Sequence, residues 1–224
     1  MATLDFRIAT ADDVARLHPL VESAYRGDES RLGWTTEADL LAGARIDTEG
    51  LLAKITDTDS AVLIATCPED NPDLAESARP VIACCELVRR TAKLAYFGMF
   101  AVSPRRQGGG IGRQVLAAAE DHCRKNWGSE TMEMKVIASR AELIAWYGRR
   151  GYRVTGESRA FPFDELAKAG GVALKDDLRM EVMAKDLRAV AAEVSGNGSG
   201  VNTPIGEVGK GGAAALVVAD TRAQ

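Results

Sequence analysis

Apolar residues recur along this chain at two spacings, and the switches between them mark its elements. Residues 4–9 read as a short first strand. Thr10 then precedes Asp12 and Asp13, and Val14, Leu17, Val21 and Tyr25 recur at three- and four-residue steps. That pattern predicts a helix capped by Thr10, with its acidic side chains where the helix dipole favours them. After Trp34, Thr35 or Thr36 caps a second predicted helix, with Glu37 and Asp39 early and Leu40 and Leu41 within. A short third helix starts at Thr48 and carries Leu51, Leu52 and Ile55.

Strand patterns follow. "AVLIATC" from Ala61 ends at the turn formers "PEDNPD", and "VIACCELV" from Val81 leads through "RRTAK" into "LAYFGMFAV". This last run, residues 94–102, is uncharged in both alternating sets: Tyr96, Phe100 and Val102 on one, Phe97, Met99 and Ala101 on the other. A strand apolar on both sides belongs in the middle of a covered sheet. Ile111, Val115, Ala119, Cys123 and Trp127 then fall at four-residue steps and predict a helix. Met132, Met134 and Val136 alternate with Glu133 and Lys135 and predict a strand buried on one face. Residues 140–150 form another amphipathic helix, stopped by Gly151, and "YRVTGESRAF" and "LRMEVMAKDL" form a closing strand pair. The predicted order is β-α-α-β-β-β-α-β-α-β-β, a mixed α/β (α+β) sheet with an antiparallel meander early and a crossover helix in the middle.

From about Arg188 the composition changes to "SGNGSGVNTPIGEVGKGGAAA", too poor in apolar side chains to order itself. The chain therefore divides into a folded unit over 1–187 and a Gly/Ala-rich, flexible tail over 188–224, in which "ALVVAD" has the pattern of one more strand. The 224 residues, 46% hydrophobic and 27% charged, are enough for one domain with a real core. A net charge of −4 without basic clusters argues against nucleic acid. No run has transmembrane length and the first residues lack a signal-peptide pattern, so a cytoplasmic protein without membrane contact is expected. Cys67, Cys84, Cys85 and Cys123 have no metal-site spacing and the chain has only two histidines, which predicts buried reduced thiols and no metal.

The chemistry concentrates in "SPRRQGGGIGRQVL", residues 103–116, where Gly108, Gly109, Gly110 and Gly112 precede the amphipathic helix. Glycines let backbone N–H groups converge on a phosphate, and a helix N-terminus adds a favourable dipole. A nucleotide P-loop needs a Gly-Lys-Ser/Thr ending, and this segment has Gly112-Arg113-Gln114. A dinucleotide G-x-G-x-x-G places Arg113 or Val115 at its third glycine, and it should open the fold rather than follow several strands.

Val102, Pro104, Gln107, Gly110 and Gly112 instead resemble the V-x-P-x-x-Q/R-x-x-G-x-G/A motif of the GNAT acetyltransferase superfamily. "AELIAWYGRRGY" resembles that family's later motif, with Tyr147 four residues before the pair Gly151-Tyr152. More narrowly, "GWTTEADLL" with "RAELIAWYGRRGY" looks like a fungal and bacterial branch of small GNAT proteins. The resemblance spans roughly residues 4–187. It departs at Arg140, where the family often has Asn, and at Leu143, where Ala is common.

The resemblance implies a GNAT-like acyl-CoA N-acyltransferase fold, and acetyl-CoA as the cosubstrate of transfer to a primary amine. It implies that Gln107, Gly108, Gly109, Gly110, Ile111, Gly112 and Arg113 hold the pyrophosphate. The central strand would splay from its neighbour, leaving the backbone of Phe100, Ala101 and Val102 to pair with the pantetheine arm. Tyr147 would reprotonate the departing thiolate, since a phenol stays protonated at neutral pH. For the base, alternation puts Glu86 with Ile82, Cys84 and Val88 on an otherwise apolar face. Tyr25, Trp34, Glu37 and Phe161, with Phe163, are the candidate walls of the acceptor pocket. A small-molecule amine taken by a monomer or homodimer is the leading reading. A catalytically silent acyl-CoA-binding module and a protein amine acetyltransferase are the alternatives. The acidic "DES" and "TTEAD" stretches suit a cationic amine and equally suit solvated helix starts.

Overall fold

In the computed structural model, residues 3–188 are described. The tail, with its expected extra strand, lies outside the described residues.

Strands β1 (Asp5–Ile8), β3 (Ser60–Thr66), β4 (Val81–Arg89), β5 (Leu94–Val102), β6 (Thr131–Ile137), β7 (Arg153–Ala160) and β9 (Arg179–Asp186) form one sheet in the order β1-β3-β4-β5-β6-β9-β7. Every pairing is antiparallel except β5 with β6. The parallel pair is bridged by α4 (Ile111–Trp127), as a crossover requires. Helices α1 (Val14–Tyr25) and α3 (Thr48–Thr56) cover one face; α4 and α5 (Ala141–Gly148) cover the other. On β4 the neighbours Cys84 and Cys85 point into opposite cores, and all four cysteines are free and buried. Thr10 starts a short 3-10 turn leading into α1, and its N–H donates to Asp13 Oδ2 at 2.8 Å. α3 starts at Thr48 as expected and is capped by Asp47, whose Oδ1 accepts from the Gly50 N–H at 2.7 Å. Gly151 takes the left-handed conformation, φ +89°, that ends α5.

Two expectations fail. No helix follows Trp34. A short helix, α2 (Gly27–Ser30), precedes it, and β2 (Leu41–Gly43) follows, pairing antiparallel with β8 (Gly171–Ala173). Thr36, expected as a cap, spends its hydroxyl on the Ala38 N–H at 3.0 Å and closes a turn instead. Leu41 packs with Phe161 and with Leu166 of α6 (Phe163–Lys168), an element absent from the sequence reading.

The second failure lies within β5. Its pattern put Phe97, Met99 and Ala101 on one face, but Phe97 joins the α4-side core while Met99 and Ala101 join the α1-side core. A bulge causes the flip. Glu86 pairs with Gly98 and Cys84 with Ala101, so Met99 and Phe100 together oppose Cys85. Met99 sits at φ +40°, the one non-glycine residue with positive φ among the described residues. An extra residue on one strand reverses the alternation beyond it and bends the strand.

Candidate active site

β5 and β6 pair only from Leu94↔Thr131 to Tyr96↔Glu133, whereas β6 stays paired with β9 along its whole length. Past Tyr96 the two strands separate, and the β6-facing edge of β5 lies open. A groove with a cavity of about 440 Å³ occupies the gap and runs from the glycine loop to α6.

At the loop end, Gly108 and Gly110 sit at φ +86° and +82°, a conformation that costs other residues about 1–2 kcal/mol. A Cβ on Gly108 would meet no atom within 4 Å, and one on Gly109 only the Arg106 carbonyl at 3.9 Å, so the loop leaves an open concavity. Gly110 is the N-cap of the 17-residue α4 and supplies no capping side chain. The N–H groups of that first turn therefore face the concavity unopposed by a cap. Gly112 serves packing: a Cβ there would lie 3.3 Å from Phe100 Cζ and 3.4 Å from Trp146. The Ile111 side chain is buried in the core, leaving only its backbone to the site. Arg113 lines the groove beside Arg150. Burial, Arg149 and Arg113 lower the Arg150 pKa, and its guanidinium lies 3.5 Å from the centre of the Trp146 ring.

Gln107 does not point into the concavity. Its Oε1 accepts from the Trp34 N–H at 3.0 Å and its Nε2 donates to the Val102 carbonyl at 3.1 Å. The side chain fastens the Trp34 loop to the end of β5, and Gln107 still lines the groove. Gly33 stands in the way of nothing only because it has no Cβ; one would lie 2.5 Å from Gln107 Oε1. Phe100 and Val102 line the groove, but Ala101 is fully buried on the other side, a consequence of the bulge. The Phe100 carbonyl already accepts from the Tyr25 hydroxyl at 3.0 Å, although a carbonyl has a second lone pair to offer.

Tyr147 is buried in an aromatic set with Phe97, Trp146 and Tyr152, its ring centre 5.0 Å from that of Trp146. It lines the groove, and its hydroxyl makes no hydrogen bond among the described residues. Burial lifts its ionisation well above that of an ordinary phenol.

Glu86 is buried as alternation predicts, but it does not line the groove. α3 brings Lys54 Nζ to 2.7 Å from its Oε1, and its Oε2 sits 3.3 Å from where a Gly98 Cβ would be. The expected direct base thus stands one layer behind a glycine.

The end of the groove toward α6 gathers residues from distant segments. Trp34 is 44% exposed and stacks on Trp146, the ring centres 6.5 Å apart, so it belongs to the loop end rather than to a closed pocket wall. Glu37 is buried, with Oε1 2.6 Å from Arg140 Nη1 and Oε2 3.1 Å from Arg26 Nη1. Arg140 also donates to Thr35 Oγ1 at 2.9 Å, so the residue standing where the family often has Asn ties down the acceptor loop. Phe161 lines the groove with Pro162 and Leu166; Phe163 packs on Phe161 from outside and does not line it. Arg26, Arg45, Tyr96, Lys135 and Trp146, none of them expected, line it too. Only the Arg140 departure from the family motif signalled any of this in the sequence.

Among the described residues no group of His, Cys, Asp or Glu side chains is placed to hold a metal, and no helix is long and apolar enough to cross a membrane.

Comparison with known families matches residues 32–152 to the Acetyltransferase (GNAT) family. The chain belongs to that family. It is accordingly an acetyl-CoA-dependent N-acetyltransferase. The matched span runs from the Trp34 loop to Tyr152 and takes in the separated strands, the glycine loop and α5. Solved structures of similar fold include the spermidine/spermine N-acetyltransferase SpeG of Vibrio cholerae in complex with manganese ions. That one is 14% identical at a TM-score of 0.58, covering 86% of this chain and 97% of the other. Another is the putative acetyltransferase yncA of Salmonella typhimurium with its cofactor acetyl-CoA, 19% identical at a TM-score of 0.56, covering 83% of this chain and 95% of the other. At these identities the likeness establishes the fold. No curated protein sequence matches the chain.

Proposed function

We propose that this GNAT enzyme, in a catalytic unit over residues 1–187, moves the acetyl group of acetyl-CoA directly onto the primary amine of a small molecule. The observation that carries the reading is the open edge of β5 beyond Tyr96, which leads from the glycine concavity to the bulge at Met99. An extended pantetheine arm can add to that edge as a strand does, with its pyrophosphate on the first-turn amides of α4. The far end, lined by Phe161, Pro162 and Leu166 in a cavity of about 440 Å³, favours a small acceptor. The fold relative from Vibrio cholerae is itself named for spermidine and spermine, both small amines.

In the reaction, the neutral amine attacks the thioester carbon, the carbonyl oxygen gains negative charge, and the C–S bond breaks as the amide forms. A main-chain N–H near Phe100, at the bulge, polarises the carbonyl and stabilises the developing oxyanion. Tyr147, with an unengaged hydroxyl on the groove, donates its proton to the leaving thiolate. Glu86, set behind Gly98 and beside the Tyr96 ring, receives the amine's proton through an intervening water. Thiol release from acetyl-CoA over an amine panel, with calorimetric binding of CoA, tests the reading. A protein that bound no CoA would overturn it.

A further inference from the structure

Glu37 is the one carboxylate lining the groove among the described residues, and both of its oxygens are taken by Arg26 and Arg140. Glu86 is taken by Lys54, and Glu133 does not line the groove. Arg45 and Lys135 do line it, and neither has a carboxylate within ion-pair distance among the described residues.

Arg45 is also held ready. The backbone N–H groups of Arg45 and Ile46 both donate to Glu22 Oε1, at 2.8 and 3.0 Å, which pins this segment to α1. Its guanidinium lies 5.0 Å from the centre of the Tyr25 ring, whose hydroxyl is bonded to β5 at Phe100. Lys135 Nζ lies 5.8 Å from the centre of the Tyr96 ring on the opposite wall. Burial first, and then the neighbouring Arg90 and Arg159, lower the Lys135 pKa against Glu133, whereas the Arg45 pKa is raised against burial by Tyr25, Glu37 and Glu86.

A dication such as spermidine would enter such a groove against like charges. Resting on the transfer reading above, we propose that the acceptor is a primary amine that also carries an anionic group, a carboxylate or phosphate, which Arg45 binds. A guanidinium with a fixed backbone and a stacked ring presents a planar fork suited to either anion. The same cationic surroundings favour the uncharged form of the incoming amine, the form that attacks the thioester.

The test is acetylation of matched amines: lysine against cadaverine, serine and phosphoethanolamine against ethanolamine, and spermidine. Anionic members should exceed their uncharged-tail or dicationic counterparts by about tenfold or more in kcat/KM, the weight of one charge-assisted contact. Serine against phosphoethanolamine identifies the anion. Arg45→Gln should raise KM for the anionic amines by about 30-fold with kcat little changed, and leave KM for ethanolamine as it was. Unchanged calorimetric affinity for CoA shows that this variant is folded. Equal or better use of cadaverine, ethanolamine or spermidine overturns the proposal while leaving the transfer reading intact, as does an anion preference that survives Arg45→Gln. Transfer to no member of either series overturns both.

Discussion

At the end proposed for the donor the groove offers main-chain groups: the glycine concavity, the first turn of α4 and the open edge of β5. At the end proposed for the acceptor it presents side chains, with Arg26, Glu37 and Arg45 from one part of the chain and Lys135 and Arg140 from another. The donor end can be assembled from one stretch because backbone amides and dipoles recognise a phosphate whatever side chains surround them. The other end depends on charged and polar side chains held in fixed positions, some of them by partners remote in sequence. Glu37 meets Arg140 across 103 positions, and Tyr25 meets Phe100 across 75. A change at the donor end should therefore act on CoA, and a change at the acceptor end on the amine or on the fold itself.

The sharpest test sits where the two ends meet. Tyr147→Phe should lower kcat by about 100-fold or more, the usual range for losing a general acid, with both KM values little changed. Steady-state kinetics with each substrate varied would check it, and an unchanged kcat would remove the residue from the mechanism.

Glu37→Gln attacks the framework of the acceptor end. It leaves the Arg26 and Arg140 guanidinium groups facing each other without the carboxylate between them. Breaking a buried ion pair from one side costs about 3–5 kcal/mol, which urea unfolding would register as a lower midpoint.

Gly110→Ala attacks the donor end by forcing a side chain into φ +82° at the start of α4. A strain of about 1–2 kcal/mol, set against CoA binding, should weaken calorimetric CoA affinity by about tenfold. The relative kcat/KM values of different amines should stay as they were, and a changed amine preference would break the division between the two ends.

The smallest effect is one of pH. Burial raises the ionisation of Tyr25 and Tyr147 above the usual phenol value. A raised folded pKa means stability that is fully present below the unfolded value of about 10 and lost as pH rises beyond it, because the unfolded chain ionises first. Unfolding midpoints should hold level up to about pH 10 and fall above it, and Tyr25→Phe should make that fall shallower. The rate contribution of Tyr147 should likewise show no basic limb below pH 10, about where an exposed phenol ionises.

Much of this fold was legible in the chain itself. Period-two and period-four spacings located β3, β4, β5, α1, α4 and α5, because each buries a face whose width is set by backbone geometry. The uncharged run of β5 foretold its central position. The bulge at Met99 was hidden, since both alternating sets of β5 are apolar and a one-residue slip leaves such a pattern looking the same. β2, β8 and α6 were hidden because they are short and pack on one another, with little periodicity of their own. At the site, Gln107 matched a motif yet turned to the Trp34 loop, and Glu86 was buried yet answered by Lys54. In both cases the sequence named the residue and a distant segment chose its partner.

The sequence by itself offered a phosphate-binding loop, since a glycine-rich turn entering a long amphipathic helix is local and its chemistry is that of the backbone, and the likeness of that loop to the GNAT motif implied the donor. Only the tertiary structure decided the charge of the acceptor end. The acidic stretch around Glu37 suits in the chain a cationic amine and a solvated helix start equally, but folding pairs that carboxylate with Arg26 and Arg140 and leaves Arg45 and Lys135 on the groove without a carboxylate at ion-pair distance. The sign of a pocket depends on which charges remain unpaired after folding, and pairing is set by distances between segments that no local pattern records.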